Sequence, residues 1–182
     1  MALEFKSFLL RPHARPEPES EEHAAAALEK FRRYTQGWER IASEPDAGEL
    51  HAWTSDEGPP SHSVPAHLVA KAAARIDHGA FARMHERLLR AYFVEHRDIS
   101  REPVLRELWD GLGLDAEAFE AHRDPALARE VLDDHNEAVH LGATGVPAVR
   151  LDGNEAVIVG AQPAELYRRW IERSLSRLEA QA

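Results

Sequence analysis

Eleven histidines are the first candidates for metal binding or acid–base chemistry, because imidazole does both near neutral pH. Two pairs, His62/His67 and His135/His140, are each five residues apart. On an α-helix this separation places the two rings about 140° apart around the axis. A metal-binding pair on one helix needs a spacing of three or four residues. The spacing therefore argues against a histidine metal site, and we expect histidines on solvated helix faces.

Other catalytic patterns in the sequence lack an essential residue. His85-Glu86 begins the zinc-protease pattern H-E-x-x-H, but Leu89 stands where the second histidine is required. No serine lies in a G-x-S-x-G elbow. The sequence also has no cysteine, which excludes disulfide bonds, thiolate nucleophiles and zinc–thiolate sites within these residues. We therefore expect no metal, no cofactor and no catalytic residue of these classes.

The charge balance limits the possible partners. The 32 acidic residues outnumber the 22 basic ones, for a net charge of −10, and no basic cluster is present. A phosphate backbone requires concentrated Lys and Arg, so we expect no nucleic-acid partner. No apolar run approaches the roughly 20 residues of a membrane helix. The run Phe8-Leu9-Leu10 is too short for a signal-peptide core, so the sequence predicts a cytoplasmic protein without membrane contact.

Periodicity and breakers divide the chain into a mixed part and a helical block. Residues 3–10 alternate loosely and predict a strand, and the three prolines of residues 11–19 predict an extended linker. Ser20 is expected to cap a helix that continues to about residue 43. Helices then follow one another over residues 63–141, with Trp109 and Phe119 on buried faces. An acidic run on the last of these helices is interpreted as a solvated face; its members are Asp133, Asp134 and Glu137.

The last 40 residues predict a hairpin and a helix. Strands at 147–152 and 155–160 are joined around Asp152-Gly153-Asn154, a sequence typical of a tight turn. Gln162-Pro163 opens the C-terminal helix. Its apolar residues are expected to face inward: Leu166, Trp170, Ile171, Leu175 and Leu178. A helical block between β elements is informative, because regular βα alternation would have indicated a doubly wound sheet.

Five segments together resemble a known family. They are FLLRP (8–12), SVPAHLVAKAA (63–73), LLRAYFVEHRDIS (88–100), GVPAV (145–149) and GAQP (160–163). In this order they resemble the DsbA-like thioredoxin-fold family, and in particular its FrnE-type branch of cytoplasmic disulfide oxidoreductases. The resemblance runs across essentially the whole chain. It depends on the combination, because a motif such as GVP decides little by itself.

The resemblance implies a fold class and a division of the chain. The fold is expected to be α/β and thioredoxin-like, of the DsbA type. Residues 1–62 and 142–182 would form the thioredoxin-like part, and residues 63–141 an inserted α-helical subdomain. The family's first β-strand and active-site helix have no counterpart in this sequence.

The resemblance also implies residues that bind a substrate. In the family the proline of the VP pair is cis, so Val146–Pro147 is expected to be a cis peptide. The backbone N–H and C=O of Val146 would then pair with an extended peptide or thiol substrate. Gly160, Ala161 and Gln162 lie where glutathione-using relatives bind a ligand at the start of the last helix. An indifferent cap before Pro163 is an equally good interpretation of Gln162.

His67 is a further candidate from the resemblance. Together with Ser63 it matches the family's signature at the entrance to the helical block. A packing or capping role and a proton-carrying role both fit this position, and the former is favoured.

The chain departs from the family in its redox chemistry. The family carries a C-x-x-C dithiol at the start of its first helix, where the helix lowers the thiolate pKa. Thiol–disulfide exchange requires a thiolate, so these residues alone are expected to be redox-inactive. Three hypotheses follow: an oxidoreductase whose strand and dithiol lie upstream, a redox-inactive peptide-binding module, and a glutathione-dependent isomerase similar to the 2-hydroxychromene-2-carboxylate members.

The missing strand has a structural consequence. In the family it lies between the second strand and the hairpin, so its absence leaves both with open edges. Residues 3–10 must then pair directly with residues 147–152, take a strand from another chain, or detach. We expect pairing or detachment in a monomer, with an intact helical subdomain, and association into homo-oligomers through the open edges in solution.

Overall fold

The computed structural model describes residues 3–44 and 47–181. Two compact units account for the chain: one is Leu9–Val131, and the other takes in the chain up to Phe8 and from Leu132 onward. Each unit is described separately below. The domain boundaries predicted at residues 63 and 141 remain predictions.

The Leu9–Val131 unit begins with two short helices where the sequence predicted one. Helix α1 (Glu21–Thr35) is capped by Ser20, whose Oγ accepts a hydrogen bond from the His23 N–H at 3.2 Å. The chain then leaves the helix at Gln36 and resumes as α2 (Gly37–Ala42). Thr35 is buried at the break, and its Oγ1 accepts a hydrogen bond from the Trp53 N–H at 2.9 Å. The helix predicted to continue to about residue 43 is therefore observed as two consecutive helices, with Gln36 between them.

Four more helices complete most of this unit. They are α3 (Val64–Ile76), α4 (His78–Phe93), α5 (Glu102–Gly111) and α6 (Ala116–Phe119), and a 3₁₀ turn follows at Glu120–Arg123. Asp77 separates α3 from α4 and caps the latter, because its Oδ1 accepts a hydrogen bond from the Ala80 N–H at 2.6 Å. Helix α7 (Pro125–His140) begins in this unit and ends in the other. None of the helices in the described ranges is long and apolar enough to cross a membrane.

The main hydrophobic core lies among α3, α4, α5 and α6. Its centre is Trp109, which is 0% exposed and meets Phe119 edge to face at 5.4 Å. Trp109 Nε1 donates a hydrogen bond to the Asp115 carbonyl at 2.9 Å, so its single polar group is satisfied. The predicted burial of Trp109 and Phe119 is confirmed. Burial of these two large rings stabilises the unit.

A second cluster is built from aromatic rings. Phe31, Trp38 and Trp53 are buried in it, and Tyr92 and Phe93 pack against them. We call these five residues the aromatic cluster.

His96 lies against the aromatic cluster and departs from the predicted solvated position, since it is 5% exposed. Its backbone has a positive φ of 55°. The Thr54 N–H donates to Nδ1 at 3.2 Å, and Nε2 is 3.1 Å from the His51 carbonyl oxygen. Because Nδ1 accepts, the proton is on Nε2, which donates to His51. The ring therefore links the segment at 51–54 to the loop after α4.

The other unit contains the only two strands among the residues the structure describes. They are β1 (Ala148–Arg150) and β2 (Val157–Val159), paired antiparallel with Ala148 opposite Val159. Both are shorter than predicted. Gly153 has a φ of 76° in the turn between them, a conformation that favours glycine. Helix α8 (Ala164–Gln181) follows the hairpin.

The segment before Leu9 forms no strand, so the predicted strand over residues 3–10 is wrong. Its last residues belong instead with the second half of α7: the Ser7 N–H donates to Asp134 Oδ2 at 3.0 Å, and Lys6 Nζ lies 2.8 Å from Glu137 Oε2. Of the outcomes considered for this segment, direct pairing with residues 147–152 in a sheet is not observed among the described residues. The predicted solvated acidic face also needs correction, because Asp134 and Glu137 hold this segment. Extended chain becomes a strand only where a ladder partner is available.

Helix α8 exposes part of the face that the sequence predicted to be inward. Leu166 is 38% exposed and Leu175 is 48% exposed, while Trp170 and Ile171 are half-buried. The residue buried on this helix is Ser174, whose Oγ accepts a hydrogen bond from Asn154 Nδ2 at 2.8 Å. Leu178 was also predicted to face inward, but its side chain lies outside the described residues. A two-stranded hairpin offers too little apolar surface to cover the whole stripe.

Candidate functional site

The loop between α7 and β1 carries the first two candidate residues. Helix α7 ends in a tight turn, in which Gly142 has a φ of 93° and the Ala143 N–H donates to the Ala138 carbonyl at 2.9 Å. A residue with a side chain is disfavoured at that φ, so Gly142 lets the chain reverse. Buried Ala143 then anchors the loop before it reaches Val146 and Pro147.

The peptide bond between Val146 and Pro147 is cis. The Val146 side chain is 49% exposed. Within the described ranges neither its N–H nor its C=O forms a hydrogen bond. The Pro147 carbonyl, in contrast, accepts a hydrogen bond from the Gly160 N–H at 2.8 Å. The N–H and C=O of Val146 are therefore both available to a ligand. Pro147 has no N–H, and its C=O is already bonded to Gly160.

The register of the hairpin shows which backbone groups face outward. Pro147 and Gly160 form a hydrogen-bonded pair one step before the Ala148–Val159 pair. In an antiparallel ladder such pairs alternate with pairs whose N–H and C=O point away from the partner strand. The backbone groups of Ala148 and Arg150 therefore point away from β2, on the same edge as those of Val146. We call Val146, Ala148 and Arg150 the open edge of β1.

The second group of candidates lies directly beside this loop. Gly160 has a φ of 84°, and its carbonyl accepts a hydrogen bond from the Tyr167 hydroxyl at 3.0 Å. Tyr167 thus fixes the chain just before α8, and Ala161 and Gln162 are exposed there. The Gly160–Pro147 hydrogen bond brings the two predicted groups together. Five of the six sequence-predicted site residues therefore form one region.

The sixth candidate, His67, lies in α3 of the Leu9–Val131 unit. Its N–H donates to the Ser63 carbonyl in the first turn of α3, at 3.4 Å. Ser63 does not cap α3 with its side chain; its Oγ accepts a hydrogen bond from the Arg11 N–H at 3.1 Å instead. A role of His67 in substrate binding remains a prediction.

Ala148, Arg150 and Tyr167 were not among the site residues predicted from the sequence. The open edge could have been found by counting hydrogen-bonded pairs outward from the Asp152-Gly153 turn. Tyr167 gives no signal in the sequence, because its hydroxyl contact depends on where the hairpin meets α8. No group of three or more His, Asp or Glu side chains within residues 3–44 and 47–177 is arranged to hold a metal ion.

Comparison with known proteins adds a family and related structures. The model of the DSBA-like thioredoxin domain matches residues 1–172. The cytosolic disulfide reductase DsbM from Pseudomonas aeruginosa is 30% identical with a TM-score of 0.59, and the match covers 84% of this chain and 77% of that one. The same reductase with GSH is 31% identical with a TM-score of 0.52, over 66% of this chain and 62% of that one.

A third structure supports the fold alone. A proposed protein disulfide isomerase from Nitrosomonas europaea has a TM-score of 0.64 at 19% identity, and the match covers 91% of this chain and 80% of that one. The search of curated proteins gives no match.

Proposed function

The chain belongs to the family of DSBA-like thioredoxin domains, and we propose that its 182 residues are a redox-inactive member that binds extended peptides. The fold class predicted from the sequence, α/β and thioredoxin-like of the DsbA type, is confirmed by the family match and by the structural similarity. The family is one of thiol–disulfide oxidoreductases, and the neighbouring DsbM is a disulfide reductase.

The first part of the proposal concerns redox chemistry. Exchange begins with attack of a thiolate on a disulfide, and the sequence supplies no cysteine. The purified 182 residues should therefore fail to reduce insulin with dithiothreitol as the electron donor. An active dithiol oxidoreductase serves as the positive control. Turnover above the cysteine-free background would contradict the proposal directly.

The observation that carries the binding proposal is the open edge of β1. An extended peptide can add to a sheet edge through backbone hydrogen bonds, with its side chains alternating between the two faces. Val146 provides an unused N–H and C=O at one end of this edge, and Ala148 and Arg150 continue it. In the part of the chain that the structure describes, no other segment pairs with it. The edge is long enough for a peptide of about five residues.

The test removes one outward-facing N–H without disturbing the hairpin. Ala148→Pro deletes a donor on the open edge of β1, and proline is tolerated at an edge position. Val159→Pro is the matched control, since Val159 stands opposite Ala148 and its N–H points outward on the other edge. The probe is a fluorescently labelled, unstructured heptapeptide of alternating Val and Thr with a lysine at each end. Its fluorescence anisotropy reports binding.

Only the β1 variant should lose affinity for the heptapeptide. One hydrogen bond contributes about 1 kcal/mol, so Ala148→Pro should weaken binding about fivefold or more. Circular dichroism checks that both variants keep the helical content of the parent chain. No binding by the parent chain, or equal losses in both variants, would refute the edge as the docking site.

A thiol ligand is the second candidate, favoured by one observation. The structure of DsbM with GSH is similar to this chain, and Gly160–Gln162 leads into the N-terminus of α8, where backbone N–H groups suit a carboxylate. Reduced glutathione should then bind, and Gln162→Ala should weaken its binding. The control is Gln36→Ala, because Gln36 is an exposed glutamine of the other unit. A glutathione-dependent isomerase requires the same binding, so absence of glutathione binding would exclude that alternative too.

The remaining alternative is an oxidoreductase whose strand and dithiol are encoded upstream. Sequencing the DNA before Met1 tests it: an in-frame strand followed by C-x-x-C would support it, and a stop codon would favour the binding module. A cytoplasmic location is part of the proposal and is supported by the cytosolic neighbour DsbM. The FrnE-type assignment and association through open edges also remain proposals, the latter testable by sedimentation.

A further inference from the structure

A pair of arginines in the Leu9–Val131 unit is held close together by the backbone. Residues 11–15 run beside residues 61–63: the Ser63 N–H donates to the Arg11 carbonyl at 2.8 Å, and the Arg15 N–H donates to the Ser61 carbonyl at 3.3 Å. The Arg11 N–H also donates to Ser63 Oγ at 3.1 Å. The two anchors are two residues apart, which is at most about 7 Å of extended chain. The backbone therefore holds the Cα atoms of Arg11 and Arg15 near two residues, Ser63 and Ser61, that are themselves close together.

The two side chains have no carboxylate to neutralise them. Within residues 3–44 and 47–177 neither guanidinium forms an ion pair, whereas Arg75, Arg87 and Arg97 each lie within about 3 Å of a carboxylate. Arg11 Nη1 donates to the Pro60 carbonyl at 3.0 Å, which fixes its guanidinium without cancelling its charge. The two cations therefore keep their charge in a chain whose net charge is −10.

The electrostatics of the neighbouring groups agree with this geometry. Partial loss of water, and then repulsion by Arg11, lowers the pKa of Arg15. Burial raises the pKa of Tyr92, and the charges of Arg11 and Arg15 both act against that rise. The two guanidinium groups are therefore close enough to repel each other. An anion placed between them would remove the repulsion.

We propose that Arg11 and Arg15 form an oxyanion-binding site that takes the phosphate or carboxylate group of a small acidic ligand. Guanidinium groups suit this role because each presents several N–H donors in a planar fork that matches two oxygens of such a group. The fixed position of Arg11 lowers the entropy that binding would cost. The site lies wholly within one unit and does not depend on the open edge of β1.

Isothermal titration calorimetry with inorganic phosphate and with succinate tests the site, at constant ionic strength adjusted with sodium chloride. The unmodified chain should bind at least one of the two saturably, with one site per chain. Arg15→Gln should weaken that binding about tenfold or more, which corresponds to one lost charge-assisted hydrogen bond. The Arg15 side chain donates no hydrogen bond to the described protein, so this variant should fold normally. Arg11→Gln should have at least as large an effect.

Arg129→Gln is the matched control, because Arg129 is exposed on α7 and the same charge is removed. It should keep the affinity of the unmodified chain. Binding of phosphate alone identifies a phosphate-bearing ligand, and binding of succinate alone identifies a carboxylate. No saturable binding of either probe, or equal weakening by Arg15→Gln and Arg129→Gln, would overturn the proposal.

Discussion

The core around Trp109 and the hairpin with α8 differ in how completely they bury their apolar residues. Helices α3 to α6 are close in sequence and supply one another's partners, so Trp109 and Phe119 are fully buried. Helix α8 has a comparable apolar stripe, yet Leu166 and Leu175 remain exposed. The difference shows that an amphipathic pattern identifies the apolar face of a helix. Whether that face is covered depends on the surface that the rest of the chain supplies.

The largest expected difference in the free energy of unfolding is between substitutions of one tryptophan in each region. Trp109→Ala should lower the free energy of unfolding by about 3–5 kcal/mol, because it leaves a cavity and an unpaired Asp115 carbonyl. Trp170→Ala, on half-buried α8, should cost about 1 kcal/mol, the typical effect of a single substitution. Urea unfolding followed by circular dichroism measures both. Equal losses would show that the two regions are buried alike.

An intermediate effect concerns the aromatic cluster at high pH. Burial raises the pKa of Tyr92 to about 12, above the value of about 10 in an unfolded chain. The folded state therefore favours the neutral phenol, and its contribution to stability is complete below pH 10 and lost as the pH rises to 12. The loss should approach about 1.4 kcal/mol per pH unit. Urea unfolding at pH 8, 10 and 11 measures it.

The control for this pH dependence is a second tyrosine. Tyr92→Phe should flatten the loss between pH 10 and 11, whereas Tyr167→Phe, from the other unit, should retain it. If the Tyr92→Phe profile followed that of the unmodified chain, another group would be responsible.

The smallest expected effect is on the exposed stripe of α8. Leu175→Ser should change the free energy of unfolding by no more than about 0.5 kcal/mol, as surface substitutions do. Leu108→Ser, in the buried core, should cost about 3 kcal/mol or more, because it creates a cavity and buries a hydroxyl. The same urea titrations compare them. A large loss for Leu175→Ser would mean that a partner covers this face in solution.

Local patterns predicted the parts of the fold that depend on local contacts. The period of α5 was sufficient to predict the burial of Trp109, and Asp152-Gly153 was sufficient to predict the hairpin turn. The Val146–Pro147 loop and its neighbour at Gly160 were identified by resemblance to a family, since periodicity says nothing about a binding loop.

Contacts between distant residues could not be predicted in this way. The buried Thr35 hydroxyl accepts its hydrogen bond from the Trp53 N–H, 18 residues away. The N-terminal segment is held by Asp134 and Glu137, more than 120 residues away, and no periodic signal specifies that pairing. The pairing of Arg11 with Arg15 was missed for the same reason, because the three linker residues between them carry no signal for the backbone hydrogen bonds that anchor both.

The hydrogen bonds of His96 also determine how that ring will react with reagents. A histidine ring reacts with an acylating reagent or a metal ion through the free lone pair of an unprotonated ring nitrogen. In His96 the lone pair of Nδ1 receives the Thr54 N–H, and the proton of Nε2 is directed at the His51 carbonyl. Treatment with diethyl pyrocarbonate should therefore modify exposed histidines such as His13 and His23 first. His96 can act as a nucleophile only when the segment at 51–54 separates from it. The rate at which His96 is acylated would therefore report the rate of that local opening.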